Sequence, residues 1–216
     1  MIIVVGGSSG IGKAIIKEYQ KKERTICIAR TLNDDASLSI SCDVTNTVQV
    51  IKAFEDLRKE TFKNNFQNPI LVCCNGFVEP EDFKNMTIEN WEKTVQTNLL
   101  GTVRVIREFL KYAEGGKIII FSSTAGTRPS PKWSAYAATK AALINLALTL
   151  SEELKSNYLV YCVSPGRVAT LLRKKIAPEE DSTKIMQPNE LVEVIKTLIK
   201  DKGLLDGQNI IIRKRQ

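Results

Sequence analysis

The sequence has 216 residues and contains no histidine. A protein without histidine cannot use a Ser-His or Cys-His nucleophile, a histidine-ligated zinc ion or a histidine general base. Any acid–base chemistry must therefore use Tyr, Lys, Cys, Asp or Glu side chains. We also predict that the chain holds no metal ion.

Long apolar runs are absent as well. No run approaches the ~18 consecutive apolar residues of a membrane-spanning helix, and the apolar start at residues 1–5 is too short for a signal peptide. The five cysteines are odd in number, have no C-x-x-C spacing and lie mostly in apolar runs. This is typical of buried thiols in a reducing compartment. These features predict a cytoplasmic protein with no membrane partner.

Acidic residues are fewer than basic ones, with 24 Asp and Glu against 31 Lys and Arg and a net charge of +7. The basic residues are spread along the chain, and no nucleic-acid-binding motif accompanies them. We interpret them as solvated surface and predict no nucleic-acid partner. The hydrophobic share of 43% and the charged share of 25% are ordinary for a globular protein.

Short apolar runs alternate with amphipathic stretches along the chain. The apolar runs predict strands at Ile2–Val5, Thr25–Ala29, Leu38–Cys42, Ile70–Cys74, Lys117–Phe121, Leu159–Val163 and Asn209–Ile212. The stretches with apolar residues at helical spacing predict helices at Ile11–Lys21, Val48–Phe62, Ile88–Tyr112, Tyr136–Leu154 and Leu191–Lys200.

The predicted strands are apolar almost throughout, which is typical of a parallel sheet covered by helices on both faces. No linker, repeat or low-complexity segment interrupts the alternation. We therefore predict an α/β fold: a single doubly wound Rossmann-type domain over residues 1–216, with a parallel sheet of about seven strands. The adjacent Cys73 and Cys74 should point to opposite faces of this sheet. Ligands should bind at the carboxyl ends of the strands.

A glycine-rich turn, Gly6-Gly7-Ser8-Ser9-Gly10-Ile11-Gly12, separates the first strand from the first helix. Such a turn lets backbone amides approach a phosphate, and the helix N-terminus adds partial positive charge. Its position in a β-α series favours a dinucleotide site over a purely structural turn. The predicted cofactor-binding residues of this turn are Gly6, Ser8, Ser9, Gly10, Ile11 and Gly12.

The end of the second strand carries Arg30 and Thr31, and the first carboxylate after it is Asp34. An acidic residue at this position would bind the ribose 2′-hydroxyl of NAD, whereas a basic one accommodates the 2′-phosphate of NADP. A charge-assisted contact from Arg30 would contribute ~1.5–3 kcal/mol. We therefore predict NADP(H) in preference to NAD(H), with contacts from Arg30 and Thr31. The alternative is that Arg30 is simply solvated.

Tyr136 and Lys140 are four residues apart on a predicted helix, so they lie one turn apart on the same face. A neighbouring ammonium group lowers the pKa of a phenol, which would let the tyrosine transfer protons near neutral pH. Ser123 ends the fifth predicted strand, 13 positions before Tyr136.

Taken together, these motifs resemble the classical type of the short-chain dehydrogenase/reductase family. The family's glycine spacing is matched by Gly6, Gly10 and Gly12, and its Ser-Tyr-Lys spacing by Ser123, Tyr136 and Lys140. Its helix-four asparagine corresponds to Asn98, and P-G-x-V-x-T corresponds to residues 165–170. The chain departs from the family pattern at Val5, Cys73-Cys74 and Ser164.

The resemblance implies a role for each matched residue. Tyr136 would transfer the proton and Ser123 would polarise the same substrate oxygen. Lys140 would lower the pKa of Tyr136 and hold the nicotinamide ribose, and Asn98 would position a water that links Lys140 to solvent. The further cofactor-binding residues that the resemblance implies are Asp43, Val44, Asn75, Gly76, Pro165, Gly166, Val168 and Thr170.

Substrate contacts should come from the loops above the strand ends. We predict contacts from Ser123, Tyr136, Trp133 and Leu171, and a short substrate lid at about residues 171–186. Trp133 could equally be a surface or interface aromatic.

The resemblance implies an NADP(H)-dependent oxidoreductase that acts on a small-molecule carbonyl/secondary alcohol pair. Within this class, a 3-oxoacyl-thioester (acyl-carrier-protein) reductase and a broad small-carbonyl reductase stay open. An epimerase or dehydratase acting on nucleotide sugars is disfavoured because its glycine spacing differs. A non-enzymatic NADP-sensing regulator is disfavoured because such proteins lose the Tyr or the Lys. The resemblance also implies a homodimer or homotetramer that associates through the two long helices, residues 88–112 and 136–154.

Overall fold

The computed structural model describes residues 1–61 and 66–214. Its strands are β1 (Ile2–Val5), β2 (Thr25–Ala29), β3 (Leu38–Ser41), β4 (Phe66–Gln67), β5 (Ile70–Cys73), β6 (Ala113–Glu114), β7 (Gly116–Phe121), β8 (Tyr158–Pro165) and β9 (Asn209–Ile212). Its α-helices are α1 (Gly10–Tyr19), α2 (Thr47–Thr61), α3 (Ile88–Val95), α4 (Gly101–Tyr112), α5 (Ser134–Glu153), α6 (Leu171–Ile176) and α7 (Pro188–Lys200).

Seven strands form one sheet in the order β3-β2-β1-β5-β7-β8-β9, and each neighbouring pair is parallel. The order reverses between β1 and β5, which opens a crevice at the carboxyl ends of these two strands. The predicted α/β domain with a seven-stranded, doubly wound parallel sheet is confirmed. The two-residue strands β4 and β6 pair separately and were not predicted.

Apolar side chains from both faces of the sheet form two cores. On β1, Ile3 and Val5 point to a core that α2, α4 and α5 cover. Ile2 and Val4 point to the other core, which α1 and α7 cover. Burial on both faces is why β1 and the other inner strands lack the alternation of apolar and polar residues that the edge strand β3 shows.

The two adjacent cysteines follow the same alternation. Cys73 is buried in the core under α2, α4 and α5, whereas Cys74 packs against the core under α1 and α7. The predicted opposite orientation is confirmed.

The helix predicted over Ile88–Tyr112 is interrupted. A π-helical turn at Gln96–Leu100 separates α3 from α4, although the backbone stays helical through the junction. π-Turns of this kind often occur at functional sites because they displace one residue from the regular helical spacing. The displaced segment contains Asn98.

Some predicted boundaries differ from those of the structure. Helix α1 ends at Tyr19 rather than Lys21, because the backbone amides of Lys22 and Glu23 turn back onto the Tyr19 carbonyl. Helix α7 begins at Pro188, three residues before the predicted start, behind a capping box. The predicted end of the second helix at Phe62 lies outside the described residues.

Within residues 1–61 and 66–214, no helix combines the length and hydrophobicity needed to cross a membrane.

Candidate active site

A cleft of about 480 Å³ opens at the carboxyl ends of β1, β5, β7 and β8. The glycine-rich turn, the start of α5 and the segment after β8 contribute to its walls. Most of the predicted site residues line this one cleft. They are Gly6, Ser9, Gly10, Ile11, Gly12, Asn75, Gly76, Ser123, Trp133, Tyr136, Lys140, Pro165, Gly166, Val168 and Thr170.

The glycine-rich turn is tightly closed against its neighbours. Gly6 adopts a φ of +76°, and a Cβ placed on it would lie 2.9 Å from the Asn75 backbone nitrogen. A Cβ on Gly12 would lie 2.5 Å from the Gly6 carbonyl oxygen. Both positions therefore require glycine, so that the turn can fold back onto the first helix.

The N-terminus of α1 opens onto the cleft with free donors. The side chain of Ser9 does not cap the helix, and the first turn carries no acidic residue. In the described part of the chain, the backbone amides of Gly10, Ile11 and Gly12 donate no hydrogen bond. Free amides at a helix N-terminus beside a glycine cradle fit the phosphates of a dinucleotide.

Asn33 supports this turn, although no sequence motif marks it. The buried Asn33 side chain donates a hydrogen bond from Nδ2 to the Gly7 carbonyl oxygen at 2.8 Å. Its own backbone amide donates to the Ser39 hydroxyl at 2.9 Å. Asn33 belongs to an irregular loop, so only the tertiary structure shows that its amide lies beneath the glycine-rich turn.

Five predicted cofactor residues do not line the cleft: Ser8, Arg30, Thr31, Asp43 and Val44. Arg30 and Thr31 are exposed at the carboxyl end of β2. Val44 is buried, and a Cβ on Gly101 would lie 2.7 Å from its Cγ2 atom. The Val44 side chain is therefore a packing residue between the loop after β3 and α4.

Asp43 lies beside Arg30 at the same edge of the sheet. Partial burial would raise the pKa of its carboxyl, but hydrogen bonds from Thr45 and the charge of Arg30 hold it below its usual value. The Thr45 amide and hydroxyl donate to Asp43 Oδ1 at 2.9 Å and 2.8 Å. Asp43 does not cap α2, because Asn46 Oδ1 accepts the Val48 and Gln49 amides instead.

Lys140 is buried at the base of the cleft, with 3% of its surface exposed. Its Nζ donates to the Phe121 carbonyl oxygen at 2.8 Å, and its own carbonyl accepts the Ser122 hydroxyl at 2.7 Å. These bonds attach the start of α5 to the end of β7. Burial lowers the pKa of the Lys140 ammonium from 10.5 to about 8, so the group exchanges protons near neutral pH.

Tyr136 lies one turn before Lys140, and its phenol is close enough to the Ser123 hydroxyl for Ser123 to influence its pKa. Burial raises the pKa of this phenol, while the Ser123 hydroxyl acts in the opposite direction. The Lys140 Nζ lies 5.5 Å from the centroid of the Tyr136 ring. In the protein alone, desolvation outweighs the influence of Ser123 and the pKa of the phenol is raised. That Lys140, together with an oxidised nicotinamide, lowers this pKa stays a prediction.

Ser123 follows β7 directly and caps a short 3₁₀ turn at Thr124–Gly126. Its hydroxyl oxygen accepts the Ala125 amide at 3.1 Å. This bond fixes the side chain on the wall of the cleft, where its hydroxyl also contacts Tyr136.

Asn98 is fully buried in the π-turn and does not line the cleft. Its Oδ1 accepts the Phe77 amide at 2.7 Å, and its Nδ2 donates to the Phe77 carbonyl at 2.9 Å and to Thr139 Oγ1 at 3.2 Å. The side chain thus holds the loop after β5 against α5. Both Nδ2 protons are used in these bonds.

Asn75 lines the cleft, and its amide is also fixed from behind. Its Nδ2 donates to the Thr97 carbonyl oxygen at 2.8 Å and to the Thr102 hydroxyl at 3.1 Å. The π-turn and the start of α4 therefore position the wall formed by the end of β5.

Trp133 and Arg173 line the cleft beside Tyr136. The Trp133 ring packs edge-on against Tyr136, with ring centroids 5.6 Å apart and an interplanar angle of 77°. The Arg173 Cζ atom lies 5.9 Å from the Trp133 centroid. Glu180 accepts two hydrogen bonds from Arg173, at 2.6 Å and 2.8 Å, and one from Arg167 at 3.0 Å.

Leu171 does not face the cleft, because 72% of its surface is exposed. It opens α6 directly after the N-cap Thr170, whose hydroxyl accepts the Arg173 amide. In this register Leu172 and Ile176, one turn apart, line the cleft in its place. Leu172 and Ile176 are four residues apart in the sequence, but the charged residues between them (173–175) concealed this apolar spacing.

Comparisons with known proteins agree with this geometry. A family model described as short chain dehydrogenase matches residues 1–181. The 3-ketodihydrosphingosine reductase of Dictyostelium discoideum is 29% identical, over 93% of this chain and 72% of its own length. The NAD-dependent glycerol dehydrogenase of Listeria innocua is 27% identical, over 97% of this chain and 91% of its own length.

The fold recurs in solved structures. An actinorhodin polyketide ketoreductase variant with NADPH aligns with a TM-score of 0.88 and 21% identity, covering 98% of this chain and 95% of that one. The family match spans most of the sequence and includes the glycine-rich turn, Ser123, Tyr136 and Lys140. The chain therefore belongs to the short chain dehydrogenase family of oxidoreductases.

Proposed function

We propose that the chain transfers hydride between NADP(H) and a small carbonyl or secondary alcohol substrate, with Tyr136 as the acid and base. The observation that carries the proposal is the convergence of Ser123, Tyr136 and Lys140 on the cleft that also contains the free amides of α1. A relative named as an NAD-dependent dehydrogenase and a structural neighbour with NADPH support a nicotinamide cofactor.

The bound nicotinamide would supply or accept the hydride at the substrate carbon. In the reductive direction, the Tyr136 hydroxyl donates its proton to the carbonyl oxygen, and Ser123 donates a hydrogen bond to the same oxygen. The raised pKa keeps Tyr136 protonated at neutral pH, as a proton donor requires. In the oxidative direction, Tyr136 must first lose its own proton, and its phenolate then takes the proton from the alcohol.

Lys140 serves two purposes in this proposal. Its pKa of about 8 lets it return a proton towards Tyr136 near neutral pH, and its ammonium would also bind the nicotinamide ribose. Asn98 positions the loop after β5 and the start of α5 through its bonds to Phe77 and Thr139. We assign the glycine-rich turn to the pyrophosphate, Asp43 to the adenine amino group, and Val168 and Thr170 to the carboxamide.

Replacing the phenol tests the assignment. Tyr136→Phe should abolish NADPH oxidation across a panel of ketones, aldehydes, quinones, sugars and acetoacetyl thioesters, while NADPH binding by fluorescence titration stays within about twofold. Tyr112→Phe, on α4 and away from the cleft, is the matched control and should keep wild-type turnover. Substantial activity in Tyr136→Phe would contradict the role of the phenol.

Arg30 carries the proposed preference for NADP(H). It is exposed at the end of β2, free to contact a 2′-phosphate. Arg30→Gln should weaken NADPH binding by about tenfold or more and leave NADH binding unchanged, because one charge-assisted contact is lost. Dissociation constants for both cofactors measure this difference. Tighter binding of NADH than of NADPH by the wild-type protein would exclude the preference.

The net charge of +7 supports a second candidate within the same chemistry, reduction of 3-oxoacyl thioesters on an acidic acyl-carrier protein. Turnover of acetoacetyl thioesters in the panel distinguishes it from a broad carbonyl reductase. Absence of any turnover would instead favour an NADP-sensing regulator. We further propose a single domain over residues 1–216 with a substrate lid at about 171–186, and the cytoplasmic location stays a prediction.

A further inference from the structure

A second cavity of about 770 Å³ adjoins the catalytic cleft. The two share Arg128, Gly166 and Arg167, so one molecule can extend from the first into the second. Five of the eight lining residues are Lys or Arg, and none is Asp or Glu. We call this cavity the cationic groove. Its lining consists of Arg128, Gly166, Arg167, Lys184, Ile185, Ile211, Arg213 and Lys214.

Only part of this positive charge is neutralised. Arg167 pairs with Glu180 at 3.0 Å, and Lys184 lies 3.8 Å from an Asp181 oxygen. Within residues 1–61 and 66–214, no carboxylate forms an ion pair with Arg128, Arg213 or Lys214. A concave surface lined by unpaired cations concentrates anions from solution.

The groove lies away from the site assigned to the adenosine 2′-phosphate. That site follows β2, whereas the groove follows β8 and β9. In the sheet order, β2 is the second strand and β8 is the sixth, so four strand spacings, roughly 19 Å, separate their carboxyl ends. The groove cations therefore serve a different anion from the one that Arg30 would contact.

We propose that the cationic groove binds phosphate groups at the far end of the carbonyl substrate. This inference rests on the proposed function, because it takes the carbonyl end to lie at Tyr136. Arg128 lines both cavities and would contact the substrate where it passes between them. Arg128, Arg167 and Arg213 each have a planar guanidinium group, which can donate two parallel hydrogen bonds to two oxygens of one phosphate. Because several cations are distributed along a groove of this volume, a ligand with several negative charges, such as a polyphosphate, fits it better than a ligand with one carboxylate does.

Binding of inorganic pyrophosphate tests the groove without any turnover. Calorimetric titrations of the full chain are run with and without NADPH, since the glycine-rich turn also offers amides to pyrophosphate. The double variant Arg213→Gln/Lys214→Gln should weaken pyrophosphate binding by about tenfold or more in the presence of NADPH. The control Lys52→Gln/Lys59→Gln removes the same charge from α2, beside the opposite edge of the sheet, and should leave the affinity unchanged.

A matched pair of thioesters tests the link to the reaction. Acetoacetyl-coenzyme A carries phosphates at its far end, whereas acetoacetyl-N-acetylcysteamine presents the same ketone without them. The wild-type protein should show a kcat/KM at least tenfold higher for the coenzyme A ester, and the groove variant should lose most of that advantage. The kcat/KM of the neutral ester should be the same in both proteins.

Equal pyrophosphate affinity in the groove variant and the control would overturn the proposal. So would succinate binding as tightly as pyrophosphate, because the groove would then recognise carboxylates, and so would equal kcat/KM for the two esters. Pyrophosphate binding in the groove, with no NADPH oxidation on either ester or on any other compound of the carbonyl panel, would support the anion site and count against the proposed reaction. The anion site in the cationic groove and the proposed hydride transfer can therefore be contradicted independently.

Discussion

The ammonium group of Lys140 is buried where a neutral side chain would be more stable. Burial lowers its pKa from 10.5 to about 8, so the folded protein holds this proton more weakly than the unfolded chain does. The energetic cost of burying the charged ammonium is therefore present at neutral pH. The free energy of unfolding rises as the pH increases from about 8 towards 10.5, because the unfolded chain then binds this proton more strongly than the folded protein does. The difference between the two pKa values corresponds to roughly 3 kcal/mol.

Lys140→Met should therefore stabilise the protein and abolish its activity. We expect the free energy of unfolding at pH 7 to rise by about 1–3 kcal/mol, because a neutral side chain of similar length needs no solvation. Urea denaturation at pH 7 and pH 9.5 measures this, and the variant should lose the stability gain that the wild-type protein shows between these values. Lys155→Met, at an exposed lysine on the surface, is the control. A destabilised Lys140→Met variant would show that the ammonium contributes to folding.

At the residue scale, local spacing predicted the site well. Gly6 and Gly12 are required by close contacts within and beside their own turn. Tyr136 and Lys140 lie one turn apart on the same helix. Because both relations are local, the sequence alone predicts that the members of each pair lie close together. Asn33 and Leu172 were not predicted, because their positions depend on how a loop and a short helix pack against distant strands. The pKa of Tyr136 also depends on such packing, because burial of the phenol raises it.

The segment from Thr170 to Glu180 shows how α6 is held over the cleft. Glu180 accepts two hydrogen bonds from Arg173, whose guanidinium lies against Trp133, and Trp133 packs on Tyr136. The hydrogen bonds from Arg173 hold the pKa of the Glu180 carboxyl below its usual value, with Arg167 adding to the effect. The carboxylate is thus ionised at neutral pH and links the segment after α6 through Arg173 and Trp133 to Tyr136.

Glu180→Gln should loosen this link. The loss of the charge on Glu180 weakens its bonds to Arg173 and Arg167, so Leu172 and Ile176 cover the substrate less well. We expect KM for the carbonyl substrate to rise about three- to tenfold, with kcat changed by less than about threefold. Glu179→Gln removes the same charge from the exposed neighbouring residue and should leave both constants unchanged. Equal effects of the two substitutions would show that the net charge of the segment matters, not the contact.

At the element scale, the elements with a clear apolar pattern were the ones that the sequence predicted. The seven strands of the main sheet were found because each contributes apolar residues to at least one of the two cores. The π-turn at Gln96–Leu100 was missed because its residues continue the helical pattern on either side. The pair of β4 and β6 was missed because two residues are too few to show a period.

For the whole molecule, the outer face of α5 is the surface to test for self-association. Its exposed residues Ala138, Ala141, Asn145, Leu148 and Thr149 carry no charge over about three turns of the helix. Small, uncharged side chains allow two helices to approach closely, and a two-fold axis would bring two copies of the same face together. The resemblance to the short chain dehydrogenases implied association through this helix and α4.

Leu148→Lys should therefore convert a dimer or tetramer into smaller species. Placing an ammonium group in a two-fold interface brings two like charges together and leaves both desolvated, which weakens association by about a hundredfold or more. Sedimentation equilibrium between 1 and 100 µM measures the mass, and activity at the same concentrations shows whether association supports the site. The control is Val48→Lys, which replaces an exposed apolar residue on α2 and should leave the mass unchanged. A wild-type monomer at 100 µM, or an unchanged mass in Leu148→Lys, would exclude this face as the interface.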